Sequence, residues 1–227
     1  MGPRWAHRSR YARPVSERWV WLDVWETLID ETRIWSVWAD EVGVPRLTFM
    51  ATLGAVLARG GDHRDVFARF GVDYWHDRIA ACEARYGGFA PQDLYPDALR
   101  SIAALGSAGY RLAIVANQPA ARADQLRAIG VQAEVMAMSE AMRVAKPDPE
   151  FFTRALELLG APAPSDVAYV GDRVDNDVVP SAAAGMRAVW IRRGPWGFIA
   201  DPPPRGAGAL TVSSLDELVE RIGEAWG

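Results

Sequence analysis

The chain has 227 residues, 25 of them basic and 29 acidic, which sets the net charge at −4 at neutral pH. Half of the residues are hydrophobic and 24% are charged; this supplies apolar material for a core, excludes disorder as the dominant state, and fits one domain or one domain with an insert. The longest charge-free stretch, residues 47–58, is too short for a membrane-spanning helix, which needs about 20 residues.

Residues 1–18 hold five arginines against Glu17, a net +4 that leaves −8 on the remainder. No apolar stretch of signal-peptide type occurs there, so residues 1–17 are expected to form a disordered basic leader on a cytoplasmic protein. The acidic body argues against nucleic acid as the main ligand. A short apolar run at 19–22 predicts the first strand. From 32 to 92 the apolar residues recur at helical spacing, as in Trp35/Trp38, Leu47/Met50/Leu53/Leu57 and Trp75/Ile79/Cys82, which predicts an all-helical insert. Within it Trp35, Trp38 and Trp75 are expected to pack internally, and Arg33, Arg46, Arg59, Arg64 and Arg69 to lie on solvated faces. Beyond it, strands are predicted at 112–115, 135–138, 167–170, 188–191 and 210–212. Helices are predicted at 96–107, 120–129, 149–159 and 178–184, each stopped by a glycine, and at 214–226 behind a Ser214 cap. Pro202, Pro203 and Pro204 mark a stiff loop. The alternation describes an α/β protein with a parallel sheet, its core formed by residues 18–31 and 93–227 and its helical cap by 32–92.

In an open parallel sheet, ligands sit beyond the carboxyl ends of the strands. The residues there are Asp23 after the first strand, Asn117 after the second, and Asp172 and Asp177 after the fourth; Lys146 precedes the helix at 149–159. One cysteine, Cys82, and three scattered histidines cannot build a thiolate or imidazole zinc site, so a bound metal must be a hard cation held by oxygen. Asp23 and Asp172 suit Mg²⁺, with Asp177 supporting the metal or its waters. A carboxylate such as Asp23 can attack a phosphoryl group to form an acyl phosphate, with Lys146 offsetting the charge between them. Lys146 is the only lysine beside 24 arginines, which suggests a site where a guanidinium does not fit.

These segments resemble the motifs of the haloacid dehalogenase (HAD) superfamily of hydrolases. Asp23-Val24-Trp25-Glu26-Thr27 is similar to motif one, Ala116-Asn117 to motif two, Lys146-Pro147-Asp148-Pro149 to motif three, and Gly171 to Asp177 to a complete motif four. The resemblance implies a Rossmann-like core with the first strand central and a helical lid. It also implies an Asp23 nucleophile, and Mg²⁺ held by Asp23, Asp172 and the backbone carbonyl of Trp25. Thr27, Ala116 and Asn117 fall at substrate-binding positions, and Arg173, inside the metal loop, is a further candidate for substrate contact.

Two positions depart from the family pattern. The second Asp of motif one, which in family phosphatases protonates the leaving group, is Trp25, and an indole cannot shuttle a proton. The motif-two hydroxyl, which binds a phosphoryl oxygen, is replaced by the methyl group of Ala116. The leading expectation is a Mg²⁺-dependent phosphohydrolase acting on a small phosphorylated metabolite without the usual general acid. A non-catalytic binding protein and a dehalogenase-type hydrolase, the latter favoured by an aromatic at position 25, are the alternatives. Monomer and homodimer are both open.

Overall fold

The computed structural model describes residues 15–227. Six parallel strands, β1 Trp19–Leu22, β2 Arg111–Ala116, β3 Val135–Met138, β4 Val167–Gly171, β5 Arg187–Ile191 and β6 Leu210–Val212, form one sheet in the order β3-β2-β1-β4-β5-β6. The order reverses beside β1, so β1 is central and the loops that follow β1, β2 and β4 meet at one edge. Every β1 residue is buried because the sheet is covered on both faces. Val20 and Leu22 pack with Ile102, Leu105 and Leu126. Trp19 and Trp21 point to the other face, among Phe151, Phe152 and Tyr169. The Trp21 indole donates to the Val115 carbonyl at 2.8 Å and meets the Tyr169 ring edge-on at 4.9 Å, which fixes Tyr169 beneath the strand ends.

The helices bear the stop and start signals expected of them. Asp148 accepts from the Glu150 N–H and Pro149 opens its helix; Ser214 accepts from the Glu217 N–H at the last one. Some elements were not anticipated. Ser139–Met142 and Gly194–Ile199 are short helices, and Val174–Val178 forms a π turn ahead of the helix Val179–Ala183. In that turn the Asp177 and Val178 N–H groups both donate to the Arg173 carbonyl.

The segment after β1 carries the cap helices α1 Thr32–Val42, α2 Arg46–Leu57, α3 Asp65–Arg69 and α4 Ile79–Tyr86. They enclose a core of their own around Phe49, Leu53 and Phe67, on which Trp35, Trp38 and Trp75 pack. The phase of α2 differs from expectation: Leu47 is 82% exposed, whereas Phe49 is fully buried. The two strands of chain joining cap to core pair with each other, Asp30 N–H to Asp93 carbonyl at 2.8 Å and Tyr95 N–H to Leu28 carbonyl at 2.9 Å. Arg33 staples this joint rather than lying on a solvated face: its guanidinium pairs with Asp93 at 2.6 Å and covers the Tyr86 ring. Arg46 pairs with Asp40 at the surface. The expected leader lies outside the described residues up to position 14; Val15–Glu17 form a 3-10 turn rather than disordered chain. No helix among the described residues is long and apolar enough to cross a membrane.

Candidate active site

Strand β1 ends at Leu22, and the Asp23 N–H still donates to the Val170 carbonyl of β4, so the Asp23 side chain is the first to clear the sheet. The chain then folds back, with the Thr27, Leu28 and Ile29 N–H groups all donating to the Val24 carbonyl. This tight loop places Glu26 at φ +50, a conformation disfavoured for a residue with a side chain. The Glu26 carboxylate compensates by accepting from the Glu31 N–H at 3.0 Å and from the Tyr95 hydroxyl. Gly194 makes room for it, since a Cβ there would lie within 3 Å of the Glu26 carboxyl group.

The Lys146 ammonium is buried and uses all three of its donors. It reaches Asp23 Oδ1 at 2.8 Å, Asp177 Oδ1 at 2.7 Å and the Tyr169 hydroxyl at 2.7 Å. The Tyr169 hydroxyl in turn donates to Asp177 Oδ1 at 3.0 Å, and Asp177 Oδ2 accepts from the Arg173 N–H at 3.0 Å. Burial works against the lysine charge, but the Asp177 and Asp23 carboxylates overcome it and hold its pKa above the ordinary value. Burial pushes the Asp23 carboxyl up to about 6 against the pull of Lys146. Asp172 is raised well above its ordinary value by burial and by the neighbouring Asp177 and Asp23. Among the described residues no donor reaches the Asp172 carboxylate, and one oxygen each of Asp23, Asp172 and Asp177 lie within 4.8 Å of one another.

Asp23, Trp25, Asn117, Lys146, Asp172 and Arg173 all line a cavity of about 610 Å³ between cap and core. Asn117 does so as a clamp: its amide donates to the Lys146 carbonyl at 2.9 Å and accepts from the Lys146 N–H at 2.8 Å. Trp25 packs edge-on against Phe89 at 5.0 Å, so its indole belongs to the aromatic joint between cap and core. Arg173 pairs with Asp175 and lies over Trp196. Three expected site residues do not reach the cavity lining. Thr27 is fully buried, its hydroxyl without a partner among the described residues and its carbonyl accepting from Arg193 at 3.1 Å. Ala116 is sealed inside the sheet, because it is the last residue of β2 rather than the first beyond it. Asp177 is fully buried, with both oxygens already engaged by Lys146, Tyr169 and the Arg173 N–H.

Several residues that the motifs did not flag also shape the site. Tyr169, an apolar-looking strand residue, supplies the third partner of Lys146. Glu26 and Glu31 follow Asp23 in a loop whose acidic content was visible in the sequence. Arg122 crosses from the core to the cap, its guanidinium donating to both oxygens of Glu83 at 2.9 and 2.7 Å. Trp35, Trp38, Trp75 and Arg64 pack or sit on the cap and face the same cavity.

A family model for haloacid dehalogenase-like hydrolases matches residues 17–185. The chain belongs to this family. HAD-like relatives include a glyceraldehyde 3-phosphate phosphatase of Methanopyrus kandleri, 33% identical over 69% of each chain. Another is a plasmid-borne phosphoglycolate phosphatase of Cupriavidus necator, 35% identical over 78% of this chain and 71% of the relative. Among solved structures, the HAD phosphatase from Thermococcus onnurineus superimposes with a TM-score of 0.59 at 24% identity, over 91% of this chain and 98% of that one. The L-2-haloacid dehalogenase RSc1362 gives 0.67 at 17% identity over the same shares, a likeness of fold. The protein is therefore a HAD hydrolase, with the central first strand and parallel sheet expected of one.

Proposed function

We propose that this HAD hydrolase is a phosphohydrolase acting on small phosphorylated metabolites through an aspartyl-phosphate at Asp23, with Mg²⁺ as cofactor. The observation that carries the reading is the pairing of a fully engaged Lys146 with Asp23 beside a buried Asp172 that, among the described residues, receives no side-chain donor. One oxygen each of Asp23, Asp172 and Asp177 lie within 4.8 Å of one another, and an all-oxygen donor set is what Mg²⁺ prefers. Asp23, Asp172 and the Trp25 carbonyl would hold the ion, and Asp177 would contribute indirectly by keeping Lys146 and the Arg173 loop in place. When bound, Mg²⁺ supplies charge neutralisation at the phosphoryl oxygens.

The remaining chemistry falls to the protein. Lys146 holds one Asp23 oxygen, orienting the other for attack on phosphorus. The Asp23 O–P bond forms as the bond to the leaving oxygen breaks; water then attacks phosphorus, releasing inorganic phosphate and restoring the carboxylate. The relatives named for glyceraldehyde 3-phosphate and phosphoglycolate support small phosphorylated substrates. The test is phosphate release from acetyl phosphate, p-nitrophenyl phosphate and a panel of alkyl phosphates, with and without Mg²⁺. Turnover that needs Mg²⁺ and vanishes in Asp23→Asn is expected. Halide release from 2-halo acids without any phosphate release would instead assign a dehalogenase, and neither activity would leave a binding protein.

A further inference from the structure

An alkoxide leaving group needs a proton, and Trp25 stands where the family's phosphatases keep their acid. The cavity contains other carboxyl groups, and most are already committed. Asp23 and Asp172 form the reacting centre. Both oxygens of Glu26 are filled, one by the Glu31 N–H and the other by Tyr95. Glu83 receives the Arg122 guanidinium on both oxygens. Asp62 is half-exposed in the cap and accepts from the Arg64 N–H at 2.8 Å. His63, wedged edge-on between Trp35 and Trp196, has its pKa lowered by burial, which disfavours the imidazolium a general acid needs.

Glu31 differs from all of these. It is buried, lines the cavity, and forms no ion pair among the described residues. The Trp35 indole donates to its Oε2 at 2.6 Å, while Oε1 has no donor among the described residues. A carboxyl group approached by a donor on one oxygen keeps its own proton on the other, so the O–H belongs at Oε1. The backbone of Glu31 is tied to the Asp23 loop through Glu26, which fixes the acid relative to the nucleophile.

We propose that Glu31 is the proton donor to the leaving-group oxygen, in place of the side chain at position 25. This rests on the phosphohydrolase reading. As Asp23 bonds to phosphorus and the P–O bond to the alcohol breaks, the Glu31 proton passes to the departing oxygen, leaving free alcohol and a Glu31 carboxylate. In the second step that carboxylate takes a proton from the attacking water, the Asp23 O–P bond breaks, and phosphate, the Asp23 carboxylate and protonated Glu31 result. Burial, together with the neighbouring Glu26 and Asp23 and opposed by the Trp35 hydrogen bond and Arg173, places the Glu31 pKa at about 8, so the acid is loaded at neutral pH.

The experiment compares kcat/KM, which reports the first irreversible step, for an alkyl phosphate and for acetyl phosphate, whose leaving group needs no acid. In Glu31→Gln, which keeps the volume and the acceptor for Trp35, the alkyl value is expected to fall by about 10²–10⁴ with the acetyl value within about threefold of wild type. Glu31→Asp, which restores a carboxyl group, is expected to recover part of the alkyl rate. Equal losses on both substrates would make Glu31 structural, and no loss on either would remove it from the reaction; each overturns the proposal. A wild type that turns over acetyl phosphate but no alkyl phosphate would overturn it alone, whereas a wild type inert to every phosphate would overturn the phosphohydrolase reading with it.

Discussion

At the scale of the single residue, Lys146 shows why this arginine-rich chain keeps one lysine. Its ammonium sits between three acceptors at 2.7–2.8 Å with its side chain 1% exposed, and a planar fork cannot converge its donors on one point. Lys146→Arg is therefore expected to abolish binding of a beryllofluoride phosphate mimic although charge is kept; calorimetric titration giving equal affinity in both forms would contradict this. Glu31 carries a second expectation, for the metal-free protein. Its folded pKa of about 8 lies above the ordinary 4.5, so the folded state binds this proton more tightly than the unfolded chain. The resulting stabilisation is complete below pH 4.5 and is lost as pH rises toward 8. Melts between pH 5 and 8.5 should fall more steeply for wild type than for Glu31→Gln, a difference of the order of a few kcal/mol across the range. Parallel curves would show that the carboxyl group is charged throughout.

Among the elements, the loop after β4 depends on one glycine. A Cβ at Gly171 would lie 2.5 Å from the Asp177 carboxyl group, so Gly171→Ala must displace the carboxylate that accepts from Lys146, Tyr169 and the Arg173 N–H. The expected result is a folded protein with a lowered Tm and loss of beryllofluoride binding; wild-type affinity would mean that the loop relaxes without moving Lys146. The strands were legible because each is a short apolar run closed by a polar or glycine residue. Helix α2 was legible as a helix but not in phase, because residues 47–58 carry no charge to mark the solvent side and the spacing Leu47/Met50/Leu53/Leu57 points to Leu47 as buried. The helix Gly194–Ile199 was invisible for a different reason. Gly194-Pro195-Trp196-Gly197 has the composition of a turn, and the helix is held by packing on α2, a contact between segments far apart in sequence.

For the whole molecule, the four motifs made the reacting edge of the sheet readable, since each marks a strand end or the approach to a helix. What lay outside them depends on contacts between distant segments: Tyr169 comes to Lys146 from inside β4, and Glu31 comes to the cavity from the cap joint. These contacts also govern how metal binding couples to global stability. In the metal-free protein burial and the adjacent Asp177 and Asp23 hold the Asp172 pKa well above its ordinary value, and Asp172→Asn keeps the shape of the side chain while removing one carboxylate from the group that would hold the ion. Wild type should gain stability with Mg²⁺ as RT ln(1 + [L]/Kd), about 2.7 kcal/mol at a hundredfold excess over Kd, or roughly 5–10 °C for a chain of this size. Because Mg²⁺ competes with the proton on Asp23, whose pKa is about 6, the gain should be larger at pH 8 than at pH 6. Thermal melts in millimolar Mg²⁺ are expected to show that pH-dependent shift in wild type and none in Asp172→Asn. A shift of equal size in the variant would place the ion away from the Asp23–Asp172 pair.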